Sequence, residues 1–293
     1  MIHLLSISEL TKNDIDSILR KAQKLKNKEK PVLKGKNVAM LFAKPSTRTR
    51  VSFEAAVNQL SGHPLYLDIS TTQLSREETI SDTSRVLSRY VDCIIARLFK
   101  HQHIEELAKA SDVPVINGLT DMFHPCQALA DMYTIREKLG KLKGLNLTYL
   151  GDGNNNVAHS LMYACSRLGV NMTVSCPASL KPDKTVLKET GSRIEKNPKK
   201  AVRDSDILYT DVWKSMGEKA STKSRALLLR PYQINKSLLG LAKRSAIVMH
   251  CLPAHRGQEI TSDVMDGKQS VIFDQAENRL HVAKGILAFL LKS

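Results

Sequence analysis

Hydroxyls and guanidiniums are concentrated in one stretch of the chain, Ala43-Lys44-Pro45-Ser46-Thr47-Arg48-Thr49-Arg50. Arginine offers a planar fork of donors that matches the oxygens of a phosphate. Serine and threonine add short donors beside it. The stretch follows Asn37-Val38-Ala39-Met40-Leu41-Phe42, an apolar run with the length and flanks of a buried strand. It precedes Val51 to Leu60, where Phe53, Ala56, Val57 and Leu60 recur at helical spacing. A strand, a tight turn and a helix start put free backbone N–H groups and the positive end of a helix dipole at the turn. Pro45 suits the turn, and Ser46 or Thr47 could cap the helix. A capped helix with its arginines in solvent would use the same residue types. The density of the pattern directly behind a buried strand favours an anion site, with phosphate as the anion.

Other residues stand where they could act with it. Asp92-Cys93-Ile94-Ile95-Ala96-Arg97 reads as a buried strand ending in an arginine. Phe123-His124-Pro125-Cys126-Gln127 opens a helix with Pro125 in its first turn, so His124 and Gln127 can face one way. A helix cap or a surface residue is the alternative for His124. Gly151-Asp152-Gly153-Asn154-Asn155-Asn156 follows the apolar run Leu145 to Leu150 and leads into a helix, His159 to Leu168. It is similar to the start of a dinucleotide-binding fingerprint. The third glycine is missing, however, and the next strand, Val170 to Ser175, ends at Cys176 where a ribose-binding acid would stand. NAD is rejected on those grounds, and the glycines are left to make a sharp turn that presents Asn154 or Asn155. Asp211 lies within the strand-like run Ile207 to Trp213. It could hold a cationic substrate group, or it could be a surface acid paired with Lys214. Ala246 to Pro253 reads as a strand ending in a turn that carries Cys251. A buried thiol is usually inert packing, but this one stands at a strand end.

The elements that must position these residues alternate. Residues 6–28 have the pattern of an amphipathic helix, followed by strands and helices in turn up to Val113 to Asn117. Ser70 to Glu78, which carries Gln73, is polar and reads as a loop. Alternation of this kind implies an α/β fold with a parallel sheet flanked by helices. Ligands of such sheets bind at the carboxyl ends of the strands, so the Ser46 turn and Arg97 can converge. The helix from Pro125 continues to about Leu139 and crosses to a second domain, where the strand–helix series begins again at Leu145. Glu218 to Arg225 reads as a charged loop, Val271 to Gln275 as a last strand, and Ala276 onward as the final helix. The expected division is residues 1–138, residues 139–275 and a C-terminal helix over residues 276–293.

At 293 residues the chain has room for two domains of ordinary size. Hydrophobic residues make up 42% and charged residues 25%, and no apolar run approaches the length of a membrane span. The N-terminal residues lack the pattern of a secretory signal. The five cysteines (93, 126, 165, 176 and 251) form no zinc spacing or CxxC pair, so they read as reduced thiols of a cytoplasmic protein. The formal charge of +15 raises nucleic-acid binding as a function. Aromatics are only 5% and no nucleic-acid module is visible, so a basic surface that attracts anionic substrates is the more economical account.

Taken together, these segments resemble the aspartate/ornithine carbamoyltransferases from end to end. The resemblance rests on Ser46-Thr47-Arg48-Thr49-Arg50, Gln73, Arg97, His124-Pro125-Cys126-Gln127, Gly151-Asp152-Gly153-Asn154-Asn155, Asp211-Val212-Trp213-Lys214-Ser215-Met216-Gly217, His250-Cys251-Leu252-Pro253 and Glu277-Asn278-Arg279. The Asp-x-Trp-x-Ser-Met-Gly and His-Cys-Leu-Pro segments are similar to the ornithine branch. The aspartate branch generally has a basic substrate-binding segment and a Pro-Leu-Pro turn in their place.

The resemblance implies two α/β domains, each a parallel sheet flanked by helices, with the C-terminal helix packing back on the first. It implies transfer of a carbamoyl group from carbamoyl phosphate to the side-chain amine of L-ornithine, in arginine metabolism, without a metal or an organic cofactor. By resemblance, carbamoyl phosphate would touch Ser46, Thr47, Arg48, Thr49, Gln73, Arg97, His124 and Gln127, with Cys251, Leu252 and Arg279 closing the site. Ornithine would touch Asn155, Asp211, Ser215 and Met216. Arg97, His124, Asp211 and Cys251 would carry the chemistry. The implied assembly is a homotrimer or a multiple of trimers, with Gln73 in a loop near a subunit boundary, and neither nucleic acid nor a membrane as partner. A sister enzyme acting on putrescine or lysine is the alternative within the family. A nucleic-acid-binding relative without activity is the alternative outside it.

Overall fold

The computed structural model describes residues 1–213 and 222–291. Thr11 accepts from the Asp14 N–H at 3.2 Å while Asp14 Oδ2 takes the Thr11 N–H at 3.0 Å, a reciprocal cap. That cap starts α1 (Lys12–Leu25), which buries Ile15, Ile18, Leu19 and Ala22. The residues before it, where periodicity alone extends the helix, form a short 3₁₀ turn, Ile7–Glu9.

The first sheet is built from β1 (Asn37–Phe42), β2 (His63–Asp68), β3 (Cys93–Arg97) and β4 (Val115–Leu119), in the order β2-β1-β3-β4. Every pairing is parallel. The helices α2 (Arg48–Gln59), α3 (Ile80–Leu87) and α4 (His101–Lys109) make the crossovers. Val38, Ala39, Met40 and Leu41 are all fully buried, so β1 is continuously apolar, as a strand covered on both faces must be. Leu4 pairs with the outer edge of β4, its N–H donating to Val115 O at 2.8 Å and its carbonyl accepting from Asn117 N at 2.8 Å. The polar stretch behind β2 forms two short 3₁₀ turns, Ile69–Thr71 and Gln73–Arg76.

Helix α5 (Pro125–Leu139) leads to the second series. Its strands are β5 (Asn146–Leu150), β6 (Asn171–Ser175), β7 (Arg193–Ile194), β8 (Ile207–Thr210) and β9 (Ile247–His250), all parallel, in the order β7-β6-β5-β8-β9. Between and after them run α6 (Asn156–Leu168), α7 (Lys184–Thr190), α8 (Pro198–Ala201), α9 (Thr222–Leu229), α10 (Lys236–Leu239), α11 (Ser262–Met265) and α12 (Ile272–Leu290). Leu208 and Val248 pack with Leu229, Tyr232, Ile234 and Ile260 in the core of this series. Met1–Tyr133 with Glu277–Ser293 make one compact unit, and Thr134–Ala276 make the other.

Two expectations are corrected. Val271 to Gln275 is not a strand. The Val271 N–H still donates to Val248 O at 3.0 Å, but α12 begins at Ile272. Ile272 and Gln275 are buried while Phe273 is 62% exposed, a helical spacing and not an alternation. A short apolar run cannot separate the two cases by itself. The charged stretch ending at Arg225 is likewise helical from Thr222.

The C-terminal half of α12 packs on α1 in the first unit. A Cβ on Gly285 would stand 2.6 Å from Ile18 O and 2.9 Å from Ala22 N, so only glycine allows this approach. Beside it the buried Lys284 Nζ donates to Lys28 O at 3.0 Å and Leu25 O at 3.4 Å, capping the carbonyls at the end of α1. The C-terminal helix therefore returns to the first domain, as the resemblance implies.

Candidate active site

In the first unit, sheet register brings the basic residues together. Phe42 of β1 is the register partner of Arg97 of β3, and the Ala43 N–H donates to Arg97 O at 2.9 Å. The chain runs from β1 to β2 on one side while β3 lies on the other, so the Ala43–Thr47 turn leaves the sheet at a topological switch point. Thr47 precedes α2 with helical angles (φ −81°, ψ −59°), and its hydroxyl makes no capping bond. This corrects the capping expectation for Thr47, because a side-chain cap needs extended backbone at that position. Ser46 and Arg48 are partly buried and Thr47 is exposed.

Behind the turn, Arg97 is 6% exposed, and its Nε has no protein partner among the described residues. Burial, and then the charges of Arg279 and Arg48, push its guanidinium down to about 10. Arg279 donates through Nη2 to Thr49 Oγ1 at 2.9 Å and through Nη1 to Gln127 Oε1. Gln127 Nε2 in turn donates to the buried Asp131 at 2.8 Å, which holds the amide with its oxygen toward Arg279. His124 is buried, and burial followed by the charges of Arg279 and Arg97 holds its imidazole well below the usual value, hence neutral. The three guanidiniums gathered in this corner disfavour one another, and an anion placed among them would relieve that repulsion. Gln73 opens an exposed turn, and no bond joins it to this corner among the described residues.

In the second unit, the register runs Leu150, Thr210 and His250 across β5, β8 and β9, so Gly151, Asp211 and Cys251 follow at one edge. Gly153 permits the turn after β5, since a Cβ there would meet Leu180 O at 2.8 Å. Asn155 Oδ1 accepts from the Ala158 N–H at 2.8 Å and starts α6. Its Nδ2 donates to Tyr149 Oη at 2.8 Å and to Asp211 Oδ2 at 3.3 Å. Asn154, the other asparagine considered for this place, is exposed. Asp211 Oδ1 accepts from Cys251 Sγ at 2.9 Å and from the Val212 N–H at 2.7 Å. At 9% exposure Asp211 is no surface acid.

The turn carrying Cys251 and Leu252 is held by His250. The Leu252 N–H donates to His250 Nδ1 at 2.8 Å, which places the imidazole proton on Nε2, facing Glu259 Oε1 at 3.1 Å. Asp211, His250 and Cys251 bring one donor atom each within 4.8 Å. Both ring nitrogens of His250 are already engaged, so the group is built as an orienting network and not as a metal-ligand set. Ser215 and Met216 lie outside the described residues.

Sequence reasoning missed Tyr149, Asp131, Glu259 and Arg225. Asp131 stands one helical turn after Gln127, a readable signal. Arg225 donates to Asp152 and to Trp213 O, contacts with no local signature.

Both units are parallel α/β structures, one gathering cations at a strand-end edge of its sheet and the other a carboxylate with a thiol. Residues 2–137 match the family model described as aspartate/ornithine carbamoyltransferase, carbamoyl-P binding domain, and residues 143–290 match the Asp/Orn binding domain of the same family. The chain belongs to the aspartate/ornithine carbamoyltransferase family. It is 51% identical over 302 residues to ornithine carbamoyltransferase of Thermococcus kodakarensis, covering 98% of this chain and 96% of that one. It is 52% identical to the protein of the same name from Pyrococcus abyssi, covering 98% and 95%. The solved structure of ornithine carbamoyltransferase from Pyrococcus furiosus superposes with a TM-score of 0.94 at 51% identity, covering 99% of this chain and 96% of that one.

Proposed function

We propose that this chain transfers the carbamoyl group of carbamoyl phosphate to the side-chain amine of L-ornithine, giving L-citrulline and phosphate. The observation that carries the choice of an amine acceptor is the buried Asp211 carboxylate, bonded by Cys251 and Asn155. A buried carboxylate attracts an ammonium group and repels the extra carboxylate of aspartate.

In this reading, residues 1–138 bind carbamoyl phosphate, residues 139–275 bind ornithine, and the C-terminal segment that begins at residue 276 returns Arg279 to the first domain. Ser46, Thr47, Arg48 and Thr49 hold the phosphate, with Gln73, Gln127 and Arg279. Arg97, His124 and Thr49 donate to the carbamoyl oxygen, where negative charge develops as the amine attacks. Cys251 and Leu252 close on the same substrate. Asn155, Asp211, Ser215 and Met216 hold ornithine.

The amine must lose its ammonium proton before it attacks, and the Asp211 carboxylate, or Cys251 once it is a thiolate, accepts it. The amine lone pair then bonds the carbamoyl carbon, the C–O bond to phosphate breaks with its electrons on the phosphate oxygen among the guanidiniums, and the newly bonded nitrogen gives its remaining extra proton to that departing phosphate. Holding the two reactants in line supplies on the order of several kcal/mol. The reading extends to a homotrimer, or a multiple of trimers, in the cytoplasm. Among the described residues no helix is long and apolar enough to cross a membrane.

Putrescine or lysine as acceptor is the second reading, since Asp211 would attract their amines as well. Citrulline formation from carbamoyl phosphate and ornithine, compared with the products of the other amines, tests the choice. Ultracentrifugation tests the assembly.

A further inference from the structure

We infer that Tyr149 is a positioning residue for the amine-binding carboxylate, its phenol oxygen setting the Asn155 amide that in turn sets Asp211. The inference rests on the role proposed above for Asp211.

Tyr149 lies in β5 and is fully buried. The Asn155 side chain has three bonds and one orientation that satisfies them. Its Oδ1 must face the Ala158 N–H at 2.8 Å, because only an oxygen can accept there. The NH₂ is thereby turned the other way, giving one proton to Tyr149 Oη at 2.8 Å and the other to Asp211 Oδ2 at 3.3 Å. The shorter bond is the one to the phenol. Burial first, then the charges of Asp211, Asp152 and Cys251, push the Tyr149 hydroxyl well above its ordinary value, so it remains neutral. Remove that oxygen and a buried N–H loses its partner, a cost the amide can lower only by rotating about its side-chain bonds and moving on Asp211.

A second path reaches the same carboxylate from the other side. Tyr149 stacks on Tyr209, its register partner on β8, with ring centroids 5.8 Å apart and planes at 22°. Tyr209 Oη accepts from Gln275 Nε2 at 3.1 Å, and Gln275 Oε1 accepts from the His250 N–H at 2.9 Å. His250 precedes Cys251, whose thiol closes on Asp211 Oδ1 at 2.9 Å. The circuit Asp211, Asn155, Tyr149, Tyr209, Gln275, His250 and Cys251 is therefore continuous within the second unit. Asp211 is fixed through both of its oxygens.

Tyr149→Phe keeps the ring and its stack and removes only the oxygen. Steady-state kinetics with each substrate varied at saturation of the other should show KM for ornithine raised about tenfold, kcat lowered less than threefold, and KM for carbamoyl phosphate within twofold of the wild type. The same substitution on an Asn155→Ser background, which keeps a capping oxygen but has no amide protons, should raise KM for ornithine less than twofold further. An unchanged KM for ornithine in a folded Tyr149→Phe protein overturns the inference. So do an equal rise in both KM values, which marks a general packing defect, and a full tenfold rise on the Asn155→Ser background. Wild-type turnover with a different amine corrects the substrate reading and moves the same split to that amine. A wild type inert toward every amine overturns both.

Discussion

Cys251 donates its S–H to Asp211 Oδ1 at 2.9 Å, and the two residues each stand one position beyond the register pair Thr210 and His250 of adjacent parallel strands. The pairing is thus a consequence of sheet register and not of loop geometry. A one-residue slip between β8 and β9 would send one of the two side chains to the other face of the sheet.

Asp211→Asn keeps the shape of the carboxylate and removes its charge. The expected outcome is a fall of at least about a hundredfold in kcat/KM for ornithine, since a buried, hydrogen-bonded charge pair is lost. Carbamoyl phosphate affinity, read by calorimetry, should stay within about twofold of the wild type, because the cations proposed to hold its phosphate belong to the other unit.

Arg48→Ala should weaken carbamoyl phosphate by roughly tenfold to a hundredfold, the equivalent of one charge-assisted contact of about 1.5–3 kcal/mol. Inorganic phosphate, as a competing product, should lose affinity in parallel. A variant with wild-type affinity for both would remove Arg48 from the anion site.

His124 ties stability to pH. Its folded-state value is held well below 6.5 by burial and by Arg279 and Arg97. Unfolded chains therefore take up a proton near pH 6.5 that the folded chain refuses, and stability is lost as pH falls below that point toward the folded value. His124→Gln should flatten this part of the profile. The check is Tm for both proteins between pH 7.5 and pH 5, with the wild type losing more.

Gly285→Ala sets helix propensity against packing. Alanine in a helix interior gains about 1 kcal/mol over glycine. The new Cβ would stand 2.6 Å from Ile18 O, a backbone atom that cannot swing away. Overpacking of this kind costs about 1–3 kcal/mol or more, so a net loss of stability is expected in denaturant titration. Lys284→Met, which removes the bonds to Leu25 O and Lys28 O, should lower stability by about 1–2 kcal/mol.

Much of this arrangement was legible in the chain. The Ser46 to Arg50 stretch could be read because a strand, a turn and a helix start announce themselves locally, and strand ends in a parallel sheet point to one edge. The same rule singles out Arg97, Asp211 and Cys251 as candidates. What stayed hidden was fixed by distant partners. Nothing near Arg279 foretells that its guanidinium meets Gln127 and Thr49, and Tyr149 looks like any aromatic strand residue until Asn155 and Tyr209 are placed beside it. Val271 to Gln275 misled because three apolar residues in a row fit either period. The Thr47 cap failed for a related reason, since residue type names candidates for a cap while backbone angle decides.

The most direct test of the account is product formation from carbamoyl phosphate with ornithine, putrescine, lysine and aspartate assayed side by side. Citrulline from ornithine is expected, with putrescine and lysine the weaker acceptors and aspartate turned over at least about a hundredfold less efficiently, the scale expected where a charged contact is opposed. Efficient carbamoylation of putrescine or lysine with ornithine left untouched would contradict the substrate assigned to Asp211 and its neighbours. Failure with all four amines would contradict the proposed reaction itself.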